Sequence, residues 1–399
     1  MSAYLDHAAT TPVRDTALAA WRDAALAGGN PSSLHGPGRR ARRAVEDARE
    51  QVAAALGVGA AEVVLTAGGT EADNLGVKGL WGARTAADPR RRVVLASPVE
   101  HHAVLDCVTW LADARGAEVV WLPVDADGRV DVAGTAALLE RDGDRAALLT
   151  CMWANNEVGT IQPLAEVVAL AHEHEVPVHA DAVQAVGWLP EAVGAIGADT
   201  VAVSGHKLGA PTGSGALVVR RGTALEPVLH GGGQERGVRS GTVDAPAAAA
   251  LAVALREAVA EQPDQAPRVA ALRDRLAAGL LATDPTAVVQ GADPASGGRL
   301  PTNLHVTFPG CEGDSLLYLF DAAGVAVSTG SACRAGVPEP SHVLHAMGVA
   351  PLLARGALRF SLGRTSTDAD VDRVLEVLPA VLERARAAGA RSRGAVLAG

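Results

Sequence analysis

Three short stretches of this chain combine residue types that could do chemistry together. The first, Ala67-Gly68-Gly69-Thr70-Glu71, follows the apolar run Glu62–Thr66 and opens a helix-like segment. Small residues let the backbone approach an anion closely. The helix start adds free N–H groups and the positive end of the dipole, and Thr70 adds a hydroxyl. With no GxGxxG pattern, this suits one phosphate rather than a dinucleotide. The second stretch, Val176–Asp181, ends in a carboxylate, with Gln184 three residues on. The third, Thr200–Ser204, runs into Ser204-Gly205-His206-Lys207 and a Gly-rich turn through Gly215. A lysine desolvated beside a sheet becomes an amine nucleophile. Taken singly, each has an ordinary reading: an N-capped turn, a helix cap, a surface lysine.

The elements that must position these residues are legible too. Short apolar runs at Glu62–Thr66, Arg92–Ala96, Ala146–Cys151, Val176–Asp181 and Thr200–Ser204 alternate with helix-like segments at Gly38–Leu56, Thr70–Trp81, His102–Arg115 and Pro163–His174. That alternation predicts an α/β fold, a mostly parallel sheet covered by helices on both faces. Beyond Asp244 the texture changes. Helices are expected over Ala245–Glu261 and Arg268–Leu281, with a break over residues 262–267. A half-exposed strand over Thr302–Phe308 would pair with Gly356–Ser361, followed by a closing helix over Asp368–Ala388 and a mobile tail over Gly389–Gly399. The division expected is a large domain over residues 14–260 and a smaller α+β domain built from residues 1–13 and 261–399.

Ligands bind at the carboxyl ends of parallel strands, and all three stretches fall there. An anion cradle, a carboxylate and a lysine at one sheet edge match the needs of pyridoxal 5′-phosphate (PLP). The phosphate takes the cradle, Asp181 pairs with the pyridinium nitrogen, and Lys207 joins the aldehyde carbon. His101, after the strand ending at Ala96, is placed to stack on the ring.

Composition narrows the classes. Of 399 residues, 48% are hydrophobic and 20% charged, so the chain can bury a core. Aromatics are only 3%, so that core must be mostly Ala, Val and Leu. A net charge of −10 argues against nucleic acid as a direct partner. The longest apolar run, Ala245–Leu255, is too short to span a bilayer and contains Pro246. Met1–Pro12 lacks the basic and apolar regions of a signal peptide, so a cytoplasmic location is expected. The four cysteines, Cys107, Cys151, Cys311 and Cys333, form no CxxC motif and no disulfide framework. His101 and His102 are adjacent and no Cys/His spacing matches a metal template, so no metal site is expected.

The chain resembles the cysteine desulfurases of the class V aminotransferase group, the NifS/IscS-like enzymes of PLP fold type I. The resemblance runs from Tyr4-Leu5-Asp6-His7-Ala8 to Arg359-Phe360-Ser361-Leu362-Gly363-Arg364. It includes Gly29–Ser33, Gly69–Asn74, Glu100-His101, Asn155–Gly159, Asp181–Gln184, Ser204–Lys207, Gly231–Thr242 and Ser331-Ala332-Cys333-Arg334. It implies conversion of L-cysteine to L-alanine, with Lys207 as the Schiff-base lysine and the group that moves the α-proton. Asp181 would hold the pyridinium nitrogen, with Asn156 and Gln184 on the phenolic oxygen. His101 would stack on the ring and act as an acid. Gly69, Thr70, Ser204 and His206 would bind the phosphate, while Thr242 would reach the site of a second subunit in a homodimer. Arg359 would clamp the substrate carboxylate with Asn30 and Asn156 nearby. Cys333, in a Gly/Ser/Pro-rich loop beside Arg334, would take the sulfur as a persulfide. A sulfur-acceptor protein, such as an iron–sulfur scaffold or a transfer-RNA thiolase, would receive it. The long spacing through Pro340-Ser341 resembles the longer-loop subgroup that serves general sulfur delivery.

The departures are Ala72, His102 and Trp153, which bear on tuning rather than on the reaction. A selenocysteine lyase or another PLP enzyme of the group stays open, as does a scaffold without cofactor, against which Lys207 and Asp181 argue. Cys107 and Cys151 read as core and Cys311 as an exposable thiol. Arg39–Arg43 reads as a solvated helix face. Arg384, Arg386, Arg391 and Arg393 form a candidate surface for an acidic partner.

Overall fold

A computed structural model describes residues 3–330 and 341–397. The apolar runs form a seven-stranded sheet. Its order is Val63–Thr66, Gly215–Val219, Thr200–Ser204, Val178–Asp181, Ala146–Thr150, Val93–Ala96 and Glu118–Trp121. Only Gly215–Val219 runs against its neighbours. The other six share one direction, so their carboxyl ends lie along one edge. The central strands are buried throughout, as near-continuous apolar runs require. Glu118–Trp121 escaped the sequence reading because it is an edge strand with Trp121 half exposed.

A second, three-stranded antiparallel sheet pairs Asn303–Thr307 with both Ala357–Ser361 and Val288–Gln290. The pairing of the first two strands agrees with the sequence. Asn303–Thr307 is not half-exposed, however: all five residues are buried. Its polar positions Asn303, His305 and Thr307 lie inside the protein, which the alternation could not reveal.

Two main apolar clusters follow the two sheets. The first is built of Ala, Val and Leu with scarcely any aromatic. All three Phe of the chain, Phe308, Phe320 and Phe360, sit in the second. The helix Ala245–Thr283 joins them in one continuous run of 39 residues, about 58 Å long at 1.5 Å per residue. The expected break at residues 262–267 is absent. Pro263 and Pro267 lie inside this helix but on its exposed side. There the carbonyls they leave unpaired can reach water. Burial of Leu251 and Leu255 in one cluster and Leu272, Leu276 and Leu280 in the other outweighs the proline cost. Arg14 pins the middle by ion pairs to Glu257 and Glu261, and Gln262 Nε2 donates to the Trp188 carbonyl at 3.1 Å.

The last helix extends from Asp368 to Leu397, so most of the expected mobile tail is helical. Cys107 and Cys151 are buried as expected. Cys311, read as exposable, is only 3% exposed because it packs in the second cluster. Arg39, Arg40, Arg42 and Arg43 are exposed on their helix. Arg386 is not a free docking charge: it donates at 2.5 Å to Asp284, a buried carboxylate. Among the described residues no helix is long and apolar enough to cross a membrane, and no group of three or more His, Cys, Asp or Glu is placed to hold a metal.

Candidate active site

Every parallel strand in the middle of the sheet hands its chain to one cavity at the carboxyl edge. Gly69 and Thr70 open the helix that follows Thr66, and His101 caps the helix after Ala96. Asn156 lies in the turn after Thr150, and Asp181 and Gln184 end the next strand. Ser204 and His206 follow the last. The sequence placed these residues up to 137 positions apart, from Gly69 to His206, and the sheet brings them together.

The cradle is cut for a close approach. The first helical hydrogen bond runs from Ala72 N to the Gly68 carbonyl at 3.1 Å, leaving the preceding amides as first-turn donors. A Cβ on Gly69 would lie 2.9 Å from Val183 Cγ2 and 3.3 Å from Ser204 Cβ, so only glycine keeps this floor open. Such a site fits a phosphate.

Lys207 ends a single 3₁₀ turn, Gly205–Lys207, and lines not this cavity but the neighbouring one, with Thr11 and Arg14. Its Nζ donates to the carbonyls of Ala8 at 2.6 Å and Ala9 at 2.7 Å. Burial lowers its pKa to about 8, with the positive charge of Arg359 adding to the effect. Gln184 Nε2 donates to the same Ala8 carbonyl at 3.0 Å, and His206 Nδ1 lies 3.2 Å from Thr10 Oγ1. The N-terminal segment therefore packs over the lysine, although the sequence reading gave it no role of its own.

Asp181 is 5% exposed and accepts from Val183 N at 2.8 Å; no helix begins there, so this bond holds a turn rather than capping a helix. Burial, followed by the neighbouring Asp73, pushes its carboxyl up to about 7. A buried carboxylate in that state favours a cationic N–H partner, which fits a pyridinium. Asp73 lines the same cavity and also went unassigned, within a stretch that carried the family resemblance.

His101 caps its helix by accepting from Ala103 N at 3.1 Å. Desolvation and the charge of Lys207 hold its imidazole down to about 4, so it is neutral near pH 7. The neighbouring His102 ring stacks edge-on to His342 at 5.0 Å, and His342 Nε2 lies 2.9 Å from the Glu100 carbonyl. In the Asn155-Asn156 pair, Asn155 makes the turn, its Oδ1 accepting from Glu157 N and Val158 N. That frees Asn156 for the cavity.

Arg359 is a buried arginine on the second sheet. Its Nη2 donates to Asp6 Oδ1 at 2.8 Å, and its Nη1 to the Asn156 carbonyl at 3.1 Å. Its Nε is buried and has no partner among the described residues. The fold thus joins Arg359 to the Asn156 backbone and to the Asp6 carboxylate. Asn30 stands apart: it is exposed, and its Oδ1 accepts from Ser32 N at 2.9 Å within its own turn. Thr242 is also exposed and lines a different cavity, between Thr66 and the Gly213–Gly215 turn. Cys333 and Arg334 lie outside the described residues.

Comparison with known proteins identifies the family. The model of the aminotransferase class V family matches residues 3–374. An IscS-like cysteine desulfurase of Mycobacterium tuberculosis is 52% identical over 393 residues, covering 98% of this chain and 99% of the relative. The cysteine desulfurase IscS of Methanosarcina thermophila is 42% identical, covering 96% and 92%. Among solved structures, a NifS-like protein superposes with a TM-score of 0.87 at 35% identity, covering 96% of this chain and all of that one.

Proposed function

The chain belongs to the class V aminotransferase family, and we propose that it works there as a PLP-dependent cysteine desulfurase, turning L-cysteine into L-alanine and passing the sulfur on. The observation that carries the reading is the meeting of a desolvated lysine, a buried carboxylate and a glycine-floored helix start at one sheet edge.

Bound in the cavity, PLP supplies an electron sink that makes the α-proton of the amino acid acidic. Gly69, Thr70, Ser204 and His206 would hold its phosphate, Asp181 its ring nitrogen, and Asn156 and Gln184 its phenolic oxygen. With a pKa of about 8, about a tenth of Lys207 is a neutral amine at pH 7, far more than for a solvated lysine. Its Nζ can therefore take and return the α-proton. Arg359, held by Asp6 and the Asn156 carbonyl, orients the substrate carboxylate; Asn30 would join it only by releasing Ser32 N and leaving its own turn. The Cys333 thiolate forms a bond to the substrate sulfur. The carbon–sulfur bond breaks, its electron pair stays with carbon, and protonation leaves the alanine methyl. His101 is the acid assigned to that step. An acid at pKa about 4 would need its proton affinity raised by the bound cofactor's phosphate and phenolic charges.

We assign residues 14–260 to the cofactor domain and residues 1–13 with 261–399 to the smaller one. The separate apolar clusters support this, with Ala3 and Leu5 in the second. A homodimer, with Thr242 reaching the partner's phosphate, is supported by its exposure away from its own chain's cavity. The persulfide passes to an acceptor protein, an iron–sulfur scaffold or a transfer-RNA thiolase, in the cytoplasm.

The test incubates PLP-loaded protein with L-cysteine and quantifies alanine and protein-bound persulfide. Cys333→Ser should retain the absorbance change on substrate binding and lose both products. Native-rate sulfide release from Cys333→Ser would overturn the reading.

A further inference from the structure

Beneath the cavity lies a buried pair that the reaction above leaves unused. Asp73, from the Gly69–Ala87 helix, is 1% exposed, and His179, from the Val178–Asp181 strand, is fully buried. Asp73 Oδ1 and His179 Nε2 are 3.2 Å apart, and His179 Nδ1 is 2.9 Å from Thr200 Oγ1. The register of the two strands sets His179 directly beside Thr200. Strand alternation puts His179 and Asp181 on the same face. The helix is shaped to this ring: a Cβ on Gly76 would lie 2.4 Å from His179 Nδ1.

The charged groups around the pair come from every neighbouring element. Asp181 shares its strand and shares the cavity wall with Asp73. Glu100, after Val93–Ala96, is fully buried and within reach of the Thr150 hydroxyl at 3.4 Å. Its carboxyl is pushed well up by burial and by Asp181 and Asp73. Lys207 faces Asp181 from the next strand end. Carboxylates this close in a dry site cannot all stay ionised. Asp181 has the Val183 amide and the lysine charge to hold its negative form, whereas among the described residues the Asp73 side chain is paired with the histidine alone. Burial keeps the Asp73 carboxyl well above its usual range and the His179 imidazole down to about 4.

We propose that Asp73 and His179 are positioning residues that keep one proton between them as a neutral pair, so that Asp181 is the single anion presented to the cofactor's ring nitrogen. The proton sits on Asp73, whose O–H donates to His179 Nε2, so both side chains are uncharged, and His179 Nδ1–H donates to the Thr200 hydroxyl. The inference rests on the PLP reading and extends it below the residues that touch the ring.

The test compares wild type, Asp73→Asn, His179→Gln and the double variant by PLP dissociation constant and by the absorbance spectrum of the bound cofactor across pH. His179→Gln leaves a buried carboxyl competing with Asp181 for the charge. PLP binding should weaken about tenfold, the equivalent of about one pH unit. Asp73→Asn removes the competitor and should bind within about threefold of wild type. The double variant should recover most of the loss of His179→Gln. A purely structural seat for the ring predicts the opposite, a double variant at least as weak as His179→Gln, and that result would overturn the pair, as would wild-type binding by His179→Gln. Should His179→Gln alone not fold, the double variant compared with Asp73→Asn decides: equal PLP binding supports the pair, because His179 then matters only while the Asp73 carboxyl is present, and a further loss of about tenfold refutes it. A wild-type protein that binds PLP but never desulfurates cysteine sinks the reaction and leaves the pair standing. One that binds no PLP sinks the cofactor reading itself.

Discussion

Lys207 is one of only two lysines in the chain, the other being Lys78, and its environment can be read as stability. Its pKa in the folded protein is about 8 against an ordinary 10.5. Unfolding therefore takes up a proton between those values, and the folded state gains stability as pH rises through that window. Below about pH 8 the full cost of burying the ammonium is present. A gap of about 2.5 in pH at about 1.4 kcal/mol each makes that cost about 3 kcal/mol. In Lys207→Met apoprotein the cost is gone at every pH. Two carbonyls, those of Ala8 and Ala9, lose their donor at about 1 kcal/mol each. That loss does not depend on pH, so the slope isolates the ammonium. Urea unfolding of both apoproteins from pH 7 to 10.5 gives the difference, in which the titrating groups that do not feel the Lys207 charge cancel; Asp181, which does feel it, titrates mainly at the foot of the window, near pH 7. Wild type should gain about 3 kcal/mol relative to the variant across the window. A difference flat to within about 1 kcal/mol would refute the claim that burial and Arg359 depress this lysine.

Gly69→Ala puts a methyl 2.9 Å from Val183 Cγ2 on the cavity floor. It should cost about 1–3 kcal/mol in folding and weaken PLP binding at least about tenfold in an absorbance titration; unchanged binding would mean the phosphate sits elsewhere. Asp6→Asn removes the 2.8 Å carboxylate partner of Arg359. Loss of a charged hydrogen bond worth about 1.5–3 kcal/mol should raise KM for L-cysteine about tenfold or more with kcat little changed, and an equal fall in kcat at constant KM would contradict the clamp. Arg49→Met strands Glu235, whose side chain is 2% exposed and pairs with Arg49 at 2.6 Å. Chemical denaturation should show a loss of about 3–5 kcal/mol, against little change if the pair were solvated.

The residues themselves determined the alternation of apolar runs and amphipathic segments, and with it a parallel sheet whose carboxyl ends hold the chemistry. Local signals sufficed there, because strand ends, glycine turns and helix starts are short-range features. The same rules misjudged residues 262–267, where two prolines announce a break that the tertiary fold overrides. Each half of that helix is anchored in its own core, and the prolines face water. They also misjudged Asn303–Thr307, because alternation reports polarity, not which polar groups a fold chooses to bury. Only the tertiary structure decided which distant groups meet. Asp6 reaches Arg359 across 353 positions, the Ala8 and Ala9 carbonyls seat Lys207, and Asp73 lies beside Asp181. Those contacts set the pKa values on which the chemistry turns, because desolvation and through-space charge depend on the packed neighbourhood rather than on sequence order.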